Sequence, residues 1–217
     1  LMNRYSDNVK IYANAYVSVE FMKGLKYKLN LTPDFQFYRY NSYLGLYDYG
    51  LNKNDITQVT EQQTRTRNVL VENLLTFDRT FGDHKISVLA GYTYQDSRYR
   101  YMQGSGQGMP TGIKEIDAAA QGLAVSGNSS RSVLTSILGR AFYSYKNRYL
   151  LTATIRRDGS SKFGSNNRYG NFPSFSVGWN SAEEDFVKNN VSWLDQLKLR
   201  GGYGVLGNQE IDNYPYV

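Results

Sequence analysis

The chain has 217 residues, a formal net charge of +6, a mean hydropathy of −0.55 and no cysteine, which excludes a disulfide framework and any thiolate metal site. No window approaches the roughly 18 consecutive apolar residues of a transmembrane helix. Its Lys and Arg residues are scattered rather than gathered into the basic face that nucleic acid requires, so no nucleic-acid partner is expected. The 20 Tyr and 10 Phe are an aromatic load that strands and membrane interfaces favour. A β membrane protein stays allowed, because only every second residue of its strands need be apolar.

The first predicted strand, 9–22, carries the clearest pattern. Val9, Ile11, Ala13, Ala15, Val17, Val19 and Phe21 fall on one parity, and Lys10, Tyr12, Asn14, Tyr16, Ser18 and Glu20 on the other. Successive side chains of a strand point to opposite faces, so one face is wholly apolar and the other can hydrogen-bond throughout. Strands of soluble sandwiches run about 5 or 6 residues, whereas a transmembrane strand tilted near 45° needs about 9 to 11. Further strands are expected at 25–37, 63–79, 85–101, 132–145, 149–157, 170–180 and 196–206. Their links are short at Lys23-Gly24, Thr80 to His84 and Lys146 to Arg148, and long at 38–62, 102–131 and 158–169; 181–195 is intermediate and 207–217 trails. Outer-membrane barrels have short periplasmic turns and longer extracellular loops, so the short links are assigned to the periplasm.

The long links are read as polar, aromatic loops. Within the first, Tyr38, Tyr40, Tyr43, Tyr47 and Tyr49 could stack on sugar rings or pack against a partner lid; Tyr is also enriched at membrane interfaces for its amphipathic ring alone. Gly104-Ser-Gly106-Gln-Gly108 lacks the flanking strand and helix of a phosphate-cradling loop. His84 is the single histidine and is expected as a turn residue rather than a metal ligand or base. Glu183-Glu184-Asp185 after Ser181 reads as the cap and acidic first turn of a short helix. No catalytic residue, metal site or cofactor is expected. Arg156, Arg157, Asp158, Lys162 and Arg168 flank the third long link. Arg157, at the end of a strand taken to face the lumen, is a candidate contact for an anionic or hydroxyl-rich ligand, and these charges could equally pair with Asp158. In Asp158-Gly159-Ser-Ser-Lys162, Asp158 is expected to bond nearby backbone and Gly159 to take positive φ.

The run Tyr145-Lys-Asn-Arg-Tyr-Leu-Leu-Thr-Ala-Thr-Ile-Arg-Arg-Asp-Gly-Ser-Ser-Lys-Phe-Gly164, with Asn-Asn-Arg-Tyr-Gly-Asn-Phe-Pro-Ser-Phe-Ser-Val-Gly-Trp over 166–179, resembles a signature of the SusC/RagA family of TonB-dependent outer-membrane transporters of Bacteroidota. Phe81 to Tyr92 and Leu197 to Tyr216 resemble an earlier hairpin and a later strand of that barrel. The resemblance implies an all-β fold, a transmembrane antiparallel β-barrel segment of about eight strands, open at both edges, within a larger barrel of about 22. It further implies a partial TonB-dependent receptor barrel domain over 1–217, without the family's plug domain or a signal peptide. Such a protein would sit in outer-membrane lipid. It would import oligosaccharides or peptides under a SusD-like surface lipoprotein, energised by the TonB-ExbB-ExbD complex through the plug region. Substrate contacts are then sought at Tyr40, Tyr43, Tyr47 and Arg157. Two other architectures fit the alternation alone: a complete small eight-stranded barrel with a structural or adhesion role, and a soluble carbohydrate-binding β-sandwich.

Overall fold

The structure is a computed structural model describing residues 2–191 and 193–208. Among these residues the main sheet has nine strands: β1 (Met2–Tyr12), β2 (Ala15–Met22), β3 (Leu25–Leu44), β6 (Gln58–Phe81), β7 (His84–Gln107), β8 (Gln121–Tyr145), β9 (Tyr149–Ser160), β10 (Tyr169–Asn180) and β11 (Lys198–Gly204). A separate two-stranded ribbon joins β4 (Tyr47–Asp48) to β5 (Lys53–Asn54). The pairs β1–β3, β2–β3, β8–β9, β9–β10 and β10–β11 are antiparallel, and the order is β1-β3-β6-β7-β8-β9-β10-β11, with β2 also on β3. Among the described residues the end strands β1 and β11 are not neighbours, so the small closed-barrel reading is set aside.

The predicted first strand is longer than expected and is cut in two opposite a proline. The ladder reads Tyr12↔Asp34 and resumes in the same register at Ala15↔Leu31. Between them Ala13 N–H donates to the Pro33 carbonyl at 3.1 Å, but Pro33 has no N–H to return the bond.

The predicted long loops are largely strand. β3 runs on to Leu44, β6 begins at Gln58, and β7 and β8 span 24 and 25 residues, which shrinks the first two long links to 45–57 and 108–120. Hydrophobic alternation marks only the part of a strand that has one apolar face; beyond it both faces are polar and the periodicity vanishes, although the backbone ladder continues. The glycines 104 and 106 serve this extension. Their absent side chains leave room for the 3-10 turn Ile116–Ala118, and a Cβ on Gly106 would stand 2.6 Å from that of Ala119.

Two compact units divide the described residues: 2–13, 32–69 and 96–131 in one, 14–31, 70–95, 132–191 and 193–208 in the other. In the first, buried Val59 and Met109 pack where Thr57 Oγ1 donates to the Met109 carbonyl at 2.7 Å. In the second, buried Ala182 and Val187 belong to the link of a 3-10 turn, Ser181–Glu183, and α1 (Asp185–Asn190). The buried hydrophobic side chains among the described residues are these four. A sandwich core between two sheets would bury many more, and the sandwich reading is thereby overturned. Residues 209–217 of the predicted trailing loop lie outside the described residues.

Candidate functional site

Register sorts the side chains by face. Directly opposed residues in an antiparallel pair share a face, so Val9 with Phe37 and Ile11 with Phe35 form an apolar surface in the first unit, and Ala15 with Leu31 and Val17 with Leu29 form one in the second. In the second unit an apolar face also lines β8 to β11. There Ala141 opposes Ala153, Tyr143 opposes Leu151, Leu151 opposes Val177, and Phe175 opposes Tyr203. Val9, Ile11, Val17, Phe21, Ile155, Phe175 and Leu199 are all more than half exposed, as lipid-facing positions must be in the absence of lipid. The opposite face carries Asn14, Asn30 and Glu72 in one hydrogen-bonded chain, Asn14 Nδ2 to Asn30 Oδ1 at 3.0 Å and Asn30 Nδ2 to Glu72 Oε2 at 2.9 Å. It is mixed rather than purely polar, since Leu138 opposes Arg156 and Phe142 opposes Thr152.

At the short-turn end, aromatic side chains mark where the apolar face stops. Tyr145 stacks at 6.4 Å on Tyr149, which opposes Trp179, and His84 lies 4.8 Å from Tyr145 with its Nδ1 2.7 Å from the Tyr143 hydroxyl. His84 is a structural turn-end residue, as its sequence position suggests. The acidic run opens a short helix with Asp185 in its first turn, as expected, but no side chain caps it, and Glu184 is used elsewhere. Its carboxylate accepts from Trp179 Nε1 at 3.0 Å, from the Tyr149 hydroxyl at 2.7 Å and from Arg148 Nη1 at 3.1 Å. The indole and then the tyrosine donor, helped by Arg148, hold its carboxyl below the usual glutamate range. Sequence reasoning missed this four-residue cluster because it joins two turns separated by two strands, β9 and β10.

At the other end, the signature folds differently from its turn-chemistry reading. Asp158 accepts from Arg156 Nε at 2.6 Å, and Arg156 Nη2 donates to the buried Ser136 hydroxyl at 3.1 Å. The backbone bonds expected of Asp158 are made by serines: Val133 N–H to Ser161 Oγ at 2.8 Å and Lys162 N–H to Ser160 Oγ at 3.3 Å. Gly159 is not among the positive-φ residues. It lies within β9, where a Cβ would come 2.5 Å from the Tyr169 ring. Gly170 and Gly207 likewise flank the Phe172 ring, at 2.6 and 2.2 Å from their would-be Cβ atoms. A cavity of about 480 Å³ opens here, lined by Arg156, Asp158, Phe163, Asn167, Arg168 and Phe172 among others.

The candidate ligand contacts do not converge. Tyr40 opposes Ser6 on the polar face, while Tyr43 opposes Asn3 on the face of Phe37 and has Lys114 Nζ 5.7 Å from its ring. Tyr47 lies in the ribbon, 5.7 Å from Tyr49. Arg157 shares the face of Ile155 and sits 5.0 Å over the Tyr169 ring; it is Arg156 that faces the cavity. Among the described residues no cluster of His, Cys, Asp and Glu could hold a metal ion.

Long antiparallel strands with an exposed apolar face, a mixed opposite face and an aromatic rim define a section of transmembrane β-barrel. No family model matches the chain. It is 33% identical over 212 residues to TonB-dependent receptor P3 of Formosa agariphila, covering 93% of this chain and 20% of that protein. TonB-dependent receptor SusC of Bacteroides thetaiotaomicron is 49% identical over 90 residues, 41% of this chain and 9% of that protein. The structure of the RagAB peptide transporter superposes with a TM-score of 0.91 at 22% identity, over 98% of this chain and 24% of that one. The chain belongs to the SusC/RagA-type TonB-dependent receptors, proteins of the bacterial outer membrane. It spans about a fifth of the length of the curated relatives that it matches along most of its own length.

Proposed function

We propose that the whole protein is an active transporter of the outer membrane that imports oligosaccharides or peptides with energy from the TonB-ExbB-ExbD complex, beneath a SusD-like surface lipoprotein. The carrying observation is the match along 93% of the chain to a TonB-dependent receptor, on a sheet whose apolar face fits lipid. In this reading the 217 residues are part of the barrel domain, and the plug and remaining strands belong to other parts of the protein. Ligand meets the outer ends of the strands, where Tyr40 on the polar face and Tyr47 in the β4–β5 ribbon offer rings for stacking; Tyr43, on the apolar side of that unit, and Arg157, in the other unit, are separate candidate contacts. The test is uptake of labelled oligosaccharide and peptide pools by cells expressing the full-length protein, with and without TonB. Uptake that needs both the protein and TonB is expected; uptake that persists without TonB overturns the reading.

A further inference from the structure

The outward face of the first unit changes character abruptly toward its outer end. Val9 and Phe37, Ile11 and Phe35 are the last apolar pairs before Asp7 opposes Arg39 on the same face. Arg67 lies 5.9 Å over the Phe35 ring and so shares that face, as does Arg65 two residues along the strand. Arg65 and Arg100 line one cleft of about 170 Å³ with Gln63 and Met102, which brings β7 onto the same surface. Arg98 is two residues from Arg100, and Asp96 bridges Arg98 at 3.1 Å and Arg131 at 2.9 Å. Arg39, Arg65, Arg67, Arg98, Arg100 and Arg131 thus form a belt across β3, β6, β7 and β8, and all six are exposed. Only Asp7, Glu61 and Asp96 oppose them among the carboxylates of these strand faces, and Arg65 and Arg100 are in no ion pair among the described residues.

Such a belt is costly on a lipid-facing surface unless something neutralises it. Like charges packed across neighbouring strands repel, and arginine near hydrocarbon is penalised except where it reaches the interface. Here the cations directly follow the apolar residues, in the halves of β3 and β6 nearer the long 45–57 connection. Long connections mark the extracellular side, so the belt lies level with the outer-leaflet headgroups. Guanidinium forks bind phosphate bidentately and keep their charge at any physiological pH.

We infer that this outward arginine belt is a docking surface for phosphorylated glycolipid of the outer leaflet, with the Arg65–Arg100 cleft as its central phosphate site. The inference rests on the outer-membrane placement, not on transport: the belt would hold lipid whatever the cargo.

The test uses the full-length protein in phosphatidylcholine nanodiscs with lipid A as probe, either phosphorylated or enzymatically dephosphorylated. Wild-type protein is expected to retain phosphorylated lipid A at least about tenfold more strongly, a margin that narrows with added salt. Arg65→Gln with Arg100→Gln removes two cations without orphaning a carboxylate. That double variant should lose most of the margin while keeping its heat-modifiable folded migration, whereas Lys146→Gln at the short-turn end should keep it. Equal retention of the two lipids by wild-type protein overturns the inference and needs no variant; an unchanged margin in the folded double variant overturns the cleft's part in it. Transport assayed in parallel distinguishes failure here from failure of the uptake reading.

Discussion

At the scale of single residues, glycine in this protein acts through what it lets approach. Gly159 has ordinary extended backbone, and its role is to leave the Tyr169 ring its place. Gly159→Ala should therefore overpack the site and lower stability by about 1–3 kcal/mol, and Gly159→Val more, read as the urea midpoint of the folded protein in lipid. Adding Tyr169→Ala should recover most of the loss in the alanine variant, an outcome that a backbone-conformation requirement would not give. Glu184 supplies a second residue-scale test. Its folded-state carboxyl titrates below its unfolded value, because Trp179 and Tyr149 donate to the ionised form. The stabilisation is thus present above about pH 4.3 and is lost as pH falls through the lowered native value. Glu184→Gln should flatten that acid limb, and an unchanged acid unfolding profile would show that the cluster carries no linkage.

At the scale of elements, the strands were legible wherever one face is apolar. The parity read from Val9 to Val19 agrees with the register, which pairs Val9 with Phe37 and Val17 with Leu29, and the short links were placed within a residue or two because Lys23-Gly24 and Lys146-Asn147 are turn chemistry, with positive φ at Gly24, Lys146 and Asn147. What stayed hidden lies above the band. There β3 continues through Arg39-Tyr40-Asn41-Ser42, and no alternation distinguishes such a strand from a loop. The site suffered for the same reason: whether Arg156 or Arg157 faces inward depends on one residue of register, which only the pairing with Leu138 and Ile137 resolves. The face assignment is tested by charge placement. Ala15→Arg, opposite Leu31, should reduce assembled protein by the roughly 2 to 4 kcal/mol of a mid-membrane cation, while Asn14→Arg, beside Asn30 and Glu72, should assemble nearly normally. Equal abundance of the two in outer-membrane fractions would reverse the faces.

At the scale of the whole molecule, the sheet cannot be the end state of a chain in lipid, because β1 and β11 each offer a row of backbone groups with no partner among the described strands. Residues 1–217 expressed alone should aggregate or require detergent and should form no conducting pore in planar bilayers. A soluble, cooperatively unfolding monomer would contradict this. Barrel diameter is tied to the cumulative stagger of the strands, so every slipped pair would alter the pore. A slip of one residue is punished by the alternation of faces, but a slip of two keeps apolar side chains outward and passes that check. The ring-on-glycine contacts close this loophole. Shifted by two against β9, the Tyr169 ring would meet Arg157 or Ser161 in place of Gly159, and a slip of β10 against β11 would take Phe172 away from Gly207. Aromatic rings and vacant Cβ positions thereby work as a key and its wards, disfavouring the even-numbered misalignments of β9, β10 and β11 that hydrophobicity accepts.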